Sequence, residues 1–311
     1  MSLLNKCVLF VCFVLWTHAA WSEESSVEQE KSRPSMSEIK EAVRLAPVVY
    51  QKDVLAALRR SGRNGRELIQ ALKKADLRQR EGMAFLIANM PGRDLVSLKG
   101  DFLVRNIQLS YQALNVAPWG KDIPQDVFLN NVLPYASLNE RRDVWRADFY
   151  KRFINIALTS KSIDQTVKAL NKYVFDSLQV SYSADRRPKP DQSPYESIAA
   201  HYASCTGLSI LLVDALRSVG VPARIAGVAM WPDGSGNHTW VEIWDGQWHF
   251  IGAAEPTALD QTWFASKASQ IDASHPIYAV SFQKTRLIFP MRWAPTLRFV
   301  SAIDVSKHYK L

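Results

Sequence analysis

The sequence predicts an α+β protein in which helices come first and a largely antiparallel sheet follows. Three features carry that prediction. Apolar residues recur at helical spacing from Glu38 to about Leu178, alternating strand patterns fill the chain beyond Pro222, and between them a strongly apolar helix opens on Cys205. At 311 residues and 47% hydrophobic, the chain is long enough for two domains, or one domain with a helical extension.

The elements follow in order. Cys7 to Trp16 is an unbroken apolar run behind Lys6, and Thr17-His18-Ala19-Ala20-Trp21-Ser22 comes next. This is the layout of a secretory signal peptide over residues 1–22, and so of a periplasmic or extracellular protein. The run is too short to span a bilayer. Without the leader 37 Lys and Arg face 30 Asp and Glu, a net charge of about +7, and Cys205 is the one cysteine left. A lone cysteine forms no intramolecular disulfide, so the core must suffice. The positive balance suits an anionic envelope surface or an acidic partner, but no basic run is dense enough for nucleic acid. Nothing in the sequence sets an oligomeric state.

Residues 23–37 read as a disordered linker, polar, charged and proline-bearing. A helical region spans 38–160, with apolar faces at 54–58, 68–72, 83–87, 102–114, 127–133 and 141–156 separated by Gly and Pro. Ser162-Ile163-Asp164-Gln165 is an N-cap with glutamine three residues on, opening a helix to about Leu178 and a second domain over 161–311. After the break at 186–194, Tyr195 to Ala200 forms a short helix. Ser204 caps the cysteine helix, which stops at Gly220 with Pro222 just beyond. Strands are expected at 222–231, 238–244 and 247–254, the last two joined by Asp245-Gly246 as a two-residue hairpin turn. Segments 277–282, 287–293 and 297–303 extend the sheet.

Cys205 is the most informative residue. A thiol at a helix N-terminus loses its proton readily, and His238 leads an alternating strand thirty-three positions later. That pair is the core of a thiol acyl-transfer site. A lone cysteine taken without its neighbours is as readily an inert buried residue. Metal and nucleotide chemistry lack their motifs: there is no His-Glu-x-x-His, no paired cysteine motif, no P-loop and no Gly-x-Gly-x-x-Gly. No cofactor is expected.

Ser-Cys-Thr-Gly at 204–207, Gly-Val-Pro-Ala-Arg at 220–224 and His-Thr-Trp-Val-Glu at 238–242 resemble the transglutaminase-like superfamily, a branch of the papain-like thiol enzymes. The resemblance covers roughly Val174 to Pro256. It implies a helix bearing the cysteine packed on an antiparallel sheet, with Cys205 as nucleophile and His238 as general base, then general acid, toward a peptide or other amide substrate. In the family an acid usually stands four residues after the next strand's tryptophan. Here Trp248 plus four is Gly252, and Glu255-Pro256 repeats the acid-proline pair three residues later. With a two-residue turn, His238 faces Ala253 and Glu255 lies on the same side, about 7–8 Å away along the diagonal. Glu255 is therefore the expected third member.

Other residues take lesser places. Gln192 and Ser204 are candidates near the oxyanion hole beside the Cys205 N–H, and Trp231 is a candidate for substrate contact. Trp240 is expected to shelter His238. His249 is expected to pair with Glu242 across the hairpin, and His201 to be a loop residue. Asn237-His238-Thr239 is a formal glycosylation sequon, but a glycan there would block the cleft, so it reads as a chance match. The expected function is hydrolysis of an amide bond through a thioester, with amine transfer to glutamine or a catalytically silent binding module as the alternatives.

Overall fold

A computed structural model describes residues 33–310, so the leader and all of the linker before Arg33 lie outside the described residues. The helical region starts at α1 (Met36–Val43), where Ser35 and Glu38 form a reciprocal capping box. Then come α2 (Val48–Arg60), α3 (Gly65–Lys74), α4 (Arg80–Asn89), the single turn α5 (Gly92–Leu95), α6 (Gly100–Val116) and α7 (Gln125–Asn131). Their apolar faces close one core from Ile39 to Ala136.

A second core draws on Ala117, Trp119, Leu138 and Trp145 from the preceding loops and on α8 (Arg146–Thr159) and α9 (Ile163–Leu178). Ser162 caps α9 by accepting from the Gln165 N–H at 3.2 Å, as its sequence spacing predicts. Helix α8 falls within 38–160 in the sequence, yet Phe149 and Phe153 pack in the same core as the cysteine helix. β1 (Ser181–Tyr182), α10 (Pro194–Ala200) and β2 (Tyr202–Ala203) lead into α11 (Cys205–Ser218). Parallel pairing of Ser181 with Tyr202 steadies the entry to that helix. Every residue of α11 from Thr206 to Ser218 is buried, which explains a sequence that is apolar nearly all round. Gly220 takes a left-handed φ of 81° just past its end.

The sheet comprises β3 (Ala223–Val228), β4 (His238–Trp244), β5 (Trp248–Ile251), β6 (Ile277–Val280), β7 (Leu287–Ile288) and β8 (Ser301–Asp304) in the order β5-β4-β3-β6-β8-β7, with every neighbour antiparallel. One face packs on α11. The other carries an aromatic layer of Trp231, Trp240, Phe250, Phe264 and Tyr309, closed by the short α12 (Ala265–Ser269) and α13 (Ser306–Tyr309). The fold is α+β, as its sequence predicts. No helix among the described residues is long and apolar enough to cross a membrane.

The β4–β5 hairpin departs from expectation. Trp244 pairs with Trp248, so three residues connect the strands rather than two. A two-residue type I′ turn needs positive φ at both central positions, and only Gly246 has it. The register moves by one, and β5 ends at Ile251 instead of running to Ala254.

Candidate active site

The start of α11 is built around the Ser204 hydroxyl. It accepts from the Thr206 N–H (3.1 Å) and the Gly207 N–H (3.2 Å), and donates to the Pro190 carbonyl (2.6 Å). Ser204 is thus a fully occupied cap, with no proton left for a substrate oxygen. The Cys205 N–H has no partner among the described residues, and it lies beside the partly exposed free thiol. The unpaired amide and the helix dipole both favour negative charge at this point.

A hydroxyl pair joins helix to strand. Thr206 Oγ1 donates to Thr239 Oγ1 at 3.1 Å, and the Ser209 hydroxyl donates to the Thr239 carbonyl at 3.3 Å. Thr206 follows Cys205 and Thr239 follows His238, so this contact ties the start of α11 to the start of β4. The His238 ring, one residue before Thr239, turns to the aromatic-layer face beside Trp240.

His238 sits among four aromatic rings. Centroids lie 4.9 Å away for Trp263 and Phe264, 5.7 Å for the stacked Trp240 and 6.3 Å for Trp231. Its Nε2 is buried without a hydrogen bond, and burial pulls its pKa from 6.5 down to about 4. Trp240 is fixed from behind, as expected of a residue sheltering His238. Its Nε1–H donates to the Tyr309 hydroxyl (2.8 Å), which donates to Glu242 (2.6 Å), which in turn pairs with Arg224 (2.6 Å).

Glu255 reaches the site by a turn, not by strand register. Its N–H bonds back to the Gly252 carbonyl (3.2 Å), with Ala254 held at φ 65°. The carboxylate folds over Gly252. A Cβ on Gly252 would lie 2.5 Å from Glu255 Cδ and 2.9 Å from Oε1, and closer still to Oε2. The acid group of residue 255 thereby occupies the side-chain space of position 252. It accepts from Trp263 Nε1–H at 2.9 Å, and burial raises its pKa above the usual carboxylate value. Glu255 does not hydrogen-bond His238. Trp263 lies between them, touching both.

Other expectations change. Gln192 is fully buried, and its amide N–H groups go to the Tyr202 (3.0 Å) and Glu196 (3.3 Å) carbonyls, so it offers no oxyanion donor. Trp231 is 2% exposed and stacks on Trp240 at 5.9 Å, deep in the aromatic layer. The aromatic side chain that meets solvent is Trp263, 58% exposed, from a loop with no strand or helix periodicity to mark it. His249 faces Ile243 rather than Glu242, and its Nδ1 bonds Asp260 at 2.6 Å. His201 caps α10 in a left-handed conformation, bonded to the Gln179 carbonyl. Asn171, which carried no signal in the sequence, bonds three backbone groups of the Gly252–Glu255 turn. No group of three or more His, Cys, Asp or Glu is placed to hold a metal among the described residues.

A cysteine at the capped start of a buried helix, joined to a histidine-led strand of an antiparallel sheet, defines the thiol-enzyme class. Residues 153–256 match the transglutaminase-like superfamily. Among solved structures it is similar to a candidate cysteine protease from Cytophaga hutchinsonii, at 16% identity over 63% of this chain and 68% of that one, with a TM-score of 0.34. That likeness identifies neither substrate nor reaction. Comparison with curated proteins gives no match.

Proposed function

We propose that the protein is an exported thiol-dependent amide hydrolase, with Cys205 as nucleophile, His238 as base and then acid, and Glu255 as the group that orients the imidazole. The observation that supports this reading is the Thr206–Thr239 contact, which ties the helix start that bears Cys205 and its unpaired N–H to the strand start that bears His238. His238 takes the thiol proton, and the sulfur attacks the amide carbonyl. The Cys205 N–H faces the oxygen on which charge develops. Return of the proton from His238 to the leaving amine gives a thioester, which water then cleaves. A primary amine replacing that water would make the same chemistry a transfer, and supplying one while looking for a transamidated product separates the two. Export rests on the leader-like residues 1–22.

The test needs no substrate. Iodoacetamide alkylation of Cys205 is followed against pH in wild type and H238A. Fast alkylation with a thiolate titrating well below the free value of about 8.5, lost in H238A, is the expected result. A slow, ordinary titration indifferent to His238 defeats the mechanism. C205A should abolish any turnover while leaving the melting temperature within a few degrees.

One observation favours a second reading, a silent binding module. His238 Nε2 has no partner while Glu255 is held by Trp263. E255Q discriminates, because only a working triad loses thiol reactivity with that acid.

A further inference from the structure

We propose that Asn171 is a positioning residue of this site: it clamps the turn that delivers the Glu255 carboxylate to the end of β5. The inference rests on the triad reading above.

Asn171 lies on the inward face of α9 and is completely buried among apolar neighbours that include Leu170 and Val174. A polar amide in that stripe is unfavourable unless every atom is paired, and here every one is. Its Nδ2 donates to the Gly252 carbonyl and to the Glu255 carbonyl, each at 2.9 Å. Its Oδ1 accepts from the Ala254 N–H at 2.9 Å. The three bonds span the segment in which Ala254 adopts its left-handed φ, a conformation that surroundings must impose on a residue with a Cβ. The same turn places the Glu255 carboxylate over Gly252. Few side chains fit this set. Aspartate would turn a carboxylate on two carbonyls, serine is too short, and glutamine is one methylene too long. Asn171 touches neither the thiol nor the imidazole, so it acts only through Glu255.

The experiment is the alkylation profile of Cys205 against pH for wild type, E255Q, N171A, N171D and E255Q/N171A, with a circular-dichroism melt of each. N171A empties a buried polar site, so the isosteric N171D carries the same test if N171A folds poorly. Each Asn171 variant should slow alkylation at pH 7 severalfold. E255Q should act in the same direction, and the double variant should be no slower than E255Q alone. A folded N171A or N171D with the wild-type profile, beside a slowed E255Q, overturns the role of Asn171 and leaves the triad standing. A double variant slower by the product of the two single effects also overturns it. Wild-type profiles in both E255Q and H238A defeat the triad reading itself, and the clamp with it.

Discussion

The imidazole of His238 is walled in by Trp231, Trp240, Trp263 and Phe264, and this desolvation reaches beyond chemistry into stability. In the unfolded chain the ring titrates near 6.5, and in the fold near 4. Between those values the unfolded state binds a proton that the native state refuses. Stability therefore falls as pH drops through that window, by up to roughly 3 kcal/mol. Glu255 acts in the opposite sense. Its carboxyl is raised, so just above its ordinary pKa of 4.5 the fold holds the proton more readily, and stability falls as pH rises. Urea unfolding at pH 7, 5.5 and 4.5 separates them. H238Q, neutral throughout, should lose most of the wild-type decline toward acid, and an H238Q curve parallel to wild type would refute the burial argument. At this scale the places of Cys205 at a helix start, His238 at a strand start and Ser204 as a cap were legible because each stands at a punctuated end of a periodic element. Asn171 and Trp263 were not, since a buried amide and a loop indole gain their meaning from partners distant in the chain.

Among elements, the contrast between helices and the β4–β5 hairpin is instructive. Helix boundaries at Ser162 and Ser204 followed from capping chemistry, which is local and so readable. The hairpin register depended on φ at Asp245, which an Asp-Gly pair does not determine, and the end of β5 depended on a clamp from α9. A regular-strand argument placed Glu255 near His238, and the structure brings it to the same neighbourhood by a different path, through a turn. That path uses the space a side chain at Gly252 would fill. In G252A the new methyl group must displace the Glu255 carboxylate, the far end of a flexible, half-buried side chain that can swing aside. The cost should therefore stay at about 1 kcal/mol, the low end for overpacking. Adding E255A removes the obstruction, so G252A/E255A should recover most of that loss. Denaturant titration of the two single variants and the double variant measures the coupling. Strict additivity would show that the carboxylate does not occupy the side-chain space of position 252.

Across the whole molecule, two buried guanidinium groups bind the N-terminal helical layer to the cysteine helix. Arg146 Nε donates to Asn106 Oδ1 of α6 (2.7 Å), Nη2 to the Val132 (3.0 Å) and Pro134 (2.8 Å) carbonyls beyond α7, and Nη1 to the Arg217 carbonyl in α11 (3.0 Å). Arg217 extends the connection to the Asn131 (3.1 Å) and Ala136 (3.2 Å) carbonyls. Both cations lie at the C-terminal end of α11, where its dipole favours them, and opposite the end that carries Cys205. The sequence marks neither residue, because an arginine in a helical pattern reads as a solvated face until the facing carbonyls are known. R146M keeps the bulk but strands these acceptors in a dry interior. Removing one partner from such a buried charged network should cost about 3–5 kcal/mol. Denaturant unfolding checks it with two reporters, far-UV circular dichroism for the helices and fluorescence of buried tryptophans such as Trp145 and Trp240 for the body that holds the cysteine helix and the sheet. A loss below about 1 kcal/mol, the range of a surface ion pair, would mean that the two layers are held by apolar packing alone. A large loss that lowers the midpoint at both reporters together would show that the helices before α8 and the site at Cys205 fold as one cooperative body.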